Sequence, residues 1–575
     1  MTRTRMSWGD LVVVPLVLLA AAATWLLHAQ AWDLGGRSPV LNYDTAQYAI
    51  AARELAWHGR LATPYALPIE LVAHAGSPWP LAVLQPGLVL IEAAVFKLVP
   101  ATGGHAGSDP RAWLTLIPSF CFFLMIAGSL ALSPRHLFAR WWPDAPSMIR
   151  HGAALTLGLA FALDPEAQHF AIGGFTELPF TLGLLFLLLG LALEAPIQRP
   201  FVFGLVMGIT GLFRANMLWL APLFVLSALW CAPRERRVRV GTLLAGGFML
   251  ALSGWWFYKW RMFGSPTWDL TRFVVWDQVK GFDWFNLYHL PEYPELPQGS
   301  EAAALLWKKF TTNLPLMTTA MLLGPRGLLL GGLIAWLALA RPPRPLMAAG
   351  IVGVLAAAMG VATASLSIPW LRYLFPTRIL LEPLALLALG ALIMRIPATT
   401  LGDAGKRALQ IAAAVLVLAW GGWSTVHGLA EARAASGERG VPSSATLTAI
   451  SIMLNERLTP GETVMSNLGP ALAWQTNHSV IHLALTPADV MACRRRHEFR
   501  HILLSFRSGK RAWNGWEEIV DREGAAATID GLHVITEKRF TSYDGFVVVW
   551  LQLGPLPPAM ATAPPLPPTS ALASR

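Results

Sequence analysis

The chain has 575 residues, of which 54% are apolar and only 14% charged, and it carries a formal net charge of +10. Ordinary soluble domains are roughly a quarter charged, so a water-soluble globule is excluded and an all-α polytopic membrane protein with a small C-terminal α/β domain is expected. Nucleic-acid binding is excluded too, because the Lys and Arg residues stand in short linkers between apolar runs instead of gathering on one soluble face.

Apolar runs of about 15 to 22 residues recur between 11 and 428, the length that ~30 Å of hydrocarbon requires. The first, Leu11 to Leu27, follows Arg3 and Arg5 and precedes Ala29-Gln30-Ala31, which imitates a signal peptide. Its length, and the many runs behind it, favour an uncleaved first span at about 10 to 30. A long outside segment to about 111 follows. Within it Leu41-Asn42-Tyr43-Asp44 leads into a helix whose apolar side is Tyr48, Ala51, Ala52 and Leu55, with Arg53 and Glu54 facing away and Gly59 ending it. That is the pattern of a helix lying on a membrane surface. Asp44 with Gln47 three residues on also resembles a capping box, and a capping carboxylate can be catalytic as well.

Alternating the remaining spans so that cytoplasmic linkers hold the basic excess gives one consistent topology of about eleven helices. Spans 2 and 3 (112 to 133, 150 to 164) flank Arg135, Arg140 and Arg150; spans 4 and 5 (179 to 194, 200 to 213) flank Arg199. Spans 6 and 7 (216 to 232, 241 to 258) flank Arg234, Arg236, Arg237 and Arg239. After an outside segment from 259 to about 314, spans 8 and 9 (315 to 338, 345 to 366) flank Arg341 and Arg344. Spans 10 and 11 (375 to 394, 409 to 428) flank Arg395, Lys406 and Arg407. The cytoplasmic pieces then hold fifteen Lys or Arg against five acids, whereas 33 to 111 holds five against six. The run 81 to 99 is long enough to span, but a span there would turn the Arg234 to Arg239 cluster outward. It is therefore expected as an interfacial or partly buried helix.

Three arginines break the pattern. Arg214 falls at the outer end of span 5, and Arg372 and Arg378 at the outer mouth of span 10. A charge at membrane depth costs ~2.5 to 3.5 kcal/mol on insertion scales and usually marks a substrate path, although such side chains also snorkel to the headgroups. The segment 259 to 314 interleaves Trp268, Trp276, Trp284, Tyr288 and Tyr293 with Asp269, Asp277, Asp283 and Glu292, which suits sugar binding or an interfacial aromatic belt.

Residues 440 to 555 read as a small α/β domain. A helix at 444 to 458, a strand at Glu462 to Ser466, a helix near Ala471 to Trp474, strands near Val480 to Leu485 and Ile502 to Phe506, and a last strand at Val547 to Leu551 are expected. The Pro/Ala-rich tail from 556 to 575 reads as disordered. Cys121, Cys231 and Cys493 show neither disulfide nor metal-ligand spacing. His497-Glu498-Phe499-Arg500-His501 matches H-E-x-x-H, but a helix ending near 496 and a strand beginning at 502 set the two histidines apart, so zinc-protease chemistry is not expected. No cofactor is read, and a divalent metal is left open.

Tyr43-Asp44-Thr45-Ala46-Gln47-Tyr48, running on to Arg53-Glu54-Leu55, Gly59 and Pro64, resembles the first external loop of the C-type glycosyltransferase (GT-C) superfamily. The likeness is to the bacterial branch related to aminoarabinose transferases and protein O-mannosyltransferases. It continues through Gly174-Phe175-Thr176-Glu177-Leu178-Pro179, Arg261-Met262-Phe263-Gly264 and Arg372-Tyr373-Leu374-Phe375-Pro376. The resemblance implies an inverting transferase at the plasma (inner) membrane, with its site and C-terminal domain on the extracytoplasmic side. It would take a sugar from a polyprenyl-phosphate donor to a lipid, protein or glycan acceptor. Asp44 would be the general base; Arg372, then Arg214, would receive the departing lipid phosphate, with Tyr373 adding a hydrogen bond. Thr45 stands where many members carry a second acid, which makes Glu177 the candidate second catalytic carboxylate, although an acid in a first helical turn also suits the helix dipole. The Lys-Pro-Pro-like step is altered to His74-Ala75-Gly76-Ser77-Pro78-Trp79-Pro80. A transporter or flippase of lipid-linked sugar would also use intramembrane arginines; the long first loop favours the transferase, and no inverted repeat favours the transporter.

Overall fold

The computed structural model describes residues 8–32, 43–98, 110–279 except 144 and 146, 286–381 except 323 and 324, parts of 384–388, 402–436, 442–507 except 477, and 515, 516, 519, 527–529 and 532–555. The tail from 556, half of expected span 10, and Leu41, Asn42, Asp283 and Trp284 lie outside the described residues.

In chain order the helices are α1 (Trp8–Ala31), α2 (Tyr43–His58), α3 (Pro86–Leu98), α4 (Leu116–Trp141), α5 (Ser147–Ala162), α6 (Pro165–Gly173), α7 (Glu177–Ala192), α8 (Ala195–Gln198) and α9 (Pro200–Phe213). They continue as α10 (Met217–Cys231), α11 (Arg237–Phe263), α12 (Gly299–Leu322), α13 (Pro325–Ala340), α14 (Arg344–Leu366), α15 (Asp403–Ser436), α16 (Ser444–Arg457), α17 (Gly469–Gln475) and α18 (Asp489–Arg496). Among the described residues Leu11–Ala31, Arg111–Trp141, Arg234–Phe263 and Arg344–Leu366 are long and apolar enough to cross a bilayer alone. Shorter apolar helices accompany them at Glu177–Ala192, Pro200–Phe213, Met217–Cys231 and Leu330–Leu339. The chain is a polytopic helical membrane protein, as its composition required.

Two compact units divide it. The first comprises Met1–Trp32, Ile117–Trp255 and Trp307–Ala435. In it α1 packs on α5 and α6, and α7 packs on α9 and α14. Glycines bring α9 against α11 at backbone distance: a Cβ on Gly204 would lie 2.1 Å from the Leu244 carbonyl oxygen, and one on Gly247 2.1 Å from that of Phe201. Gly208, one small-residue step after Gly204, faces Ala251 in the same way. Small residues at this spacing are how helices approach closely in lipid, where no hydrophobic effect drives them together. On α9's other side Gly183 of α7 accommodates Thr210. Because α7 and α9 run antiparallel through this contact, the first residue of α7, Glu177, and the residue after α9, Arg214, emerge at the same end.

The second unit comprises Asp33–Leu116, Trp256–Leu306 and Ser436–Arg575. Its sheet has strands β2 (Tyr65–Ala66), β4 (Thr463–Ser466), β5 (Ser479–His482), β6 (His501–Arg507), β7 (Ala527–Ile529), β8 (Leu532–Thr541) and β9 (Phe546–Leu553) in the order β2-β5-β4-β6-β9-β8-β7; β1 (Ala62–Thr63) and β3 (Trp79–Pro80) pair separately. β2, β5, β4 and β6 are mutually parallel, and β9, β8 and β7 complete an antiparallel meander. The buried core mixes Ala66, Leu71 and Trp79 of the first loop with Met465, Ile481, Val490, Ile502, Val549 and Leu551.

Three expectations change. Span 8 is two helices, α12 and α13, because Pro325 lacks the N–H a continuing helix needs and suits the first position of a new one. A helix missing from the sequence reading, α6, follows α5: Asp164 accepts from the Glu166 and Ala167 N–H groups and Pro165 takes the first turn. Helix α2 is not a surface helix, since its polar side is packed as well. Glu54 is buried, taking 2.5 Å and 3.0 Å contacts from Arg60 and His58, and Arg53 donates to the carbonyls of Ala473 and Trp474 at 2.9 Å each. The run 81 to 99 forms only the 13-residue α3, packed on α2 and too short to cross ~30 Å.

Candidate active site

In the first unit Glu177 begins α7 with a side chain 1% exposed, and its Oε1 lies 2.6 Å from Arg214 Nη1 and 3.5 Å from Arg372 Nε. Arg214 is placed by the end of α9, and Arg372 by a 3-10 turn, Leu371–Leu374, that follows α14. The Tyr373 ring lies 5.3 Å from the Arg214 guanidinium and 5.4 Å from that of Arg372. Phe175 and Trp370 flank Arg372 at 5.3 Å and 5.1 Å. Aromatic faces at such distances favour a half-buried guanidinium. Glu177 thus stands between two guanidiniums. A cleft reaches it, lined by Arg214, Tyr373, Asn216, Trp219, Phe180 and Thr377. The residue types suit an anion on an apolar stem, with a cation and a phenol at the polar end and hydrophobic walls beyond.

Arg378, the third exceptional arginine, lies apart from this cluster in its pairing: its guanidinium forms an ion pair with Glu166. Sequence reasoning missed Asp164 and Glu166. The Asp-Pro-Glu order, a cap followed by a first-turn proline and acid, was the available signal for α6.

In the second unit Asp44 lies in the first turn of α2, which begins one residue earlier at Tyr43, so Asp44 is not the residue before the helix that a capping box requires. The helix N-terminus favours its negative charge. Tyr43 shares a hydrogen bond with the Tyr65 hydroxyl, and Tyr65 reaches His482 Nδ1 at 3.2 Å. Burial, with His289 beside it, holds His482 well below the ordinary histidine range, so the ring is neutral. Gln47, Thr63, Tyr65 and Glu70 line a small cleft with Leu81 to Leu84. Glu70 accepts from the Leu67 N–H at 2.7 Å, and burial pushes its carboxyl up to about 8. Nearby, Lys259 pairs with Asp269 at 3.0 Å, and Asp269 caps the 3-10 turn Leu270–Trp276. Sequence reasoning missed Tyr65, Glu70, His289 and His482.

The two histidines of the H-E-x-x-H match diverge, as their placement on a helix end and a strand required. His497 donates to the Ala75 carbonyl at 2.5 Å and meets Thr463 Oγ1 at 2.8 Å, while His501 accepts from Trp550 Nε1 at 3.2 Å.

No protein-family model matches this chain, and no curated protein matches it. Among solved structures it is similar to ArnT from Cupriavidus metallidurans bound to undecaprenyl phosphate, with a TM-score of 0.51 at 13% identity over 94% of this chain and 98% of that one. It is similar to the apo state of the same protein with a TM-score of 0.50, at 13% identity over 93% of this chain and 98% of that one. At that identity the likeness shows the fold alone, and the chain shares the fold of ArnT.

Proposed function

We propose that the chain is an inverting glycosyltransferase that moves a sugar from a polyprenyl-phosphate carrier to an acceptor hydroxyl on the extracytoplasmic side of the membrane. The observation that carries this reading is the cluster of half-buried Arg214 and Arg372 on the buried Glu177, with the Tyr373 ring close to both guanidiniums. An arginine lining a largely apolar cleft, with a second one on the same carboxylate, suits the phosphate of a lipid carrier, because a guanidinium binds two oxygens at once. The shared fold supports the reading, since the ArnT neighbour holds undecaprenyl phosphate.

In the proposed reaction Asp44 takes the proton of the acceptor hydroxyl as its oxygen attacks the anomeric carbon from the face opposite the phosphate. The bond from that carbon to the phosphate oxygen breaks, and its electron pair leaves with the lipid phosphate. Arg372 and Arg214 neutralise that charge, and Tyr373 donates a hydrogen bond to it. Glu177, expected from the sequence as a second catalytic acid, is assigned here to holding the two guanidiniums, because a carboxylate already shared by two arginines is a poor base.

Binding of radiolabelled undecaprenyl phosphate to the purified full-length protein tests the phosphate site. Loss of a charge-assisted contact corresponds to roughly 1.5 to 3 kcal/mol, so Arg372→Ala and Arg214→Ala are each expected to weaken binding by about 10- to 100-fold. Unchanged affinity in both would reassign the phosphate site.

A further inference from the structure

We infer that the C-terminal domain sets the pose of the helix that presents Asp44, with His482 as a positioning residue acting through Tyr65 and Tyr43 and with Gly469 as the spacer that lets them meet. The inference rests on the assignment of Asp44 as the base.

The observations all lie within the second unit. Strand β2 of the first loop is the edge strand of the C-terminal sheet, pairing Tyr65 with Val480 and Ala66 with Ile481 in parallel, and the Val480 N–H donates to the Pro64 carbonyl at 2.8 Å. Tyr65 therefore reaches His482 because its own backbone is part of that sheet. Tyr43, Tyr65 and His482 form three mutually perpendicular rings, with centroids 6.0 Å, 5.6 Å and 6.0 Å apart and interplanar angles of 88°, 84° and 87°. Edge-to-face contacts fix ring orientation, and the hydroxyl chain fixes it again. The Tyr43 and Tyr65 hydroxyls and His482 Nδ1 thus form one hydrogen-bonded chain. His289 closes the far side, 4.6 Å from His482, and donates to the Leu483 carbonyl at 2.8 Å.

Gly469 starts α17 at φ +50°, a conformation that favours glycine. A Cβ there would lie 2.7 Å from His482 Nδ1 and 3.3 Å from the Tyr43 ring. Toward its other end the same short helix receives Arg53 of α2 on the carbonyls of Ala473 and Trp474. Helix α2 is thus held at Tyr43, the residue before Asp44, and again at Arg53, both times by the C-terminal domain. A catalytic carboxylate needs its carrier fixed to within about 0.5 Å, and these contacts supply that constraint from a part of the chain that carries no expected catalytic residue.

The test compares full-length variants in reconstituted vesicles containing a polyprenyl-phosphate sugar donor. His482→Phe and Gly469→Ala are expected to lower kcat about 10- to 100-fold while leaving donor KM within about twofold. His482→Asn, which can return an acceptor near the Nδ1 position, is expected to recover part of that loss. Equal losses in the Asn and Phe variants, or a KM that rises in step with the fall in kcat, would overturn the inference. Hydrogen exchange separates this inference from the functional reading. On the same samples His482→Phe is expected to speed exchange in residues 43–58 and to leave α14 unchanged. Unaltered exchange in α2 overturns the inference whatever the activity, whereas a wild-type protein without transferase activity but with the exchange response overturns the functional reading alone.

Discussion

Replacing Glu177 by Gln separates a carboxylate that organises arginines from one that performs acid or base chemistry. Its Oε1 lies 2.6 Å and 3.5 Å from two guanidiniums at a site where its side chain is 1% exposed. With an effective dielectric of ~20 the two attractions are roughly 6 and 5 kcal/mol before desolvation. Most of that is offset by the cost of burying the charges, and removal of one partner from such a cluster typically costs about 3 to 5 kcal/mol. Glu177→Gln is therefore expected to lower the melting temperature of the detergent-solubilised protein by several degrees. A lipid phosphate supplies the missing anion. At a free concentration of about 100 times its Kd it returns roughly 2.7 kcal/mol, and the variant, which lacks the carboxylate between the two guanidiniums, is expected to bind it more tightly than the wild type does. The assay is thermal unfolding with and without undecaprenyl phosphate. A larger lipid-induced rise in the variant than in the wild type supports the arginine-organising role. An equal or smaller rise, together with lost transfer, would refute the reasoning and return Glu177 to direct catalysis.

Burial raises Glu70 to about 8, so the folded protein holds that proton more tightly than the unfolded chain, whose carboxyl titrates near the ordinary ~4.3. Its contribution to stability is present below about pH 4, falls as pH rises through that range up to about 8, and amounts to a few kcal/mol at most. Glu70→Gln keeps an acceptor for the Leu67 N–H and removes the ionisation, so its melting temperature is expected to gain on the wild type between pH 5 and pH 8; parallel curves would contradict the burial argument. At the α9–α11 contact Gly247→Ala places a Cβ 2.1 Å from the Phe201 carbonyl oxygen, while Gly246→Ala meets nothing within 4 Å. Overpacking at the first is expected to destabilise by about 1 to 3 kcal/mol, and the second is expected to be neutral or slightly stabilising; equal melting temperatures would show that the backbone contact does not form.

The membrane helices were legible because span length and arginine placement are both enforced by the bilayer. Arg214 and Arg372 stood out for the same reason, as charges in the wrong place, and Glu177 was singled out as a candidate acid, but its pairing with both arginines was not legible, because it meets them across packed helices that no spacing rule links. The split at Pro325 and the helix after Asp164 had local signals that a continuous hydropathy reading passes over. Strand β2 is two residues long and takes its identity entirely from the C-terminal sheet some 400 positions later, so no local pattern announces it. The surface-helix reading of α2 failed for a related reason: Arg53 and Glu54 look solvated in sequence, and only tertiary contacts give them buried partners.

The central claim is that an ionised carboxylate at position 44 takes the acceptor proton. Asp44→Asn, reconstituted in vesicles and supplied with polyprenyl-phosphate sugar and acceptor, tests it most directly when transfer and donor binding are measured on the same preparation. Transfer is expected to fall at least about 10³-fold, with donor affinity within about threefold of the wild type. Wild-type transfer in that variant would contradict the account.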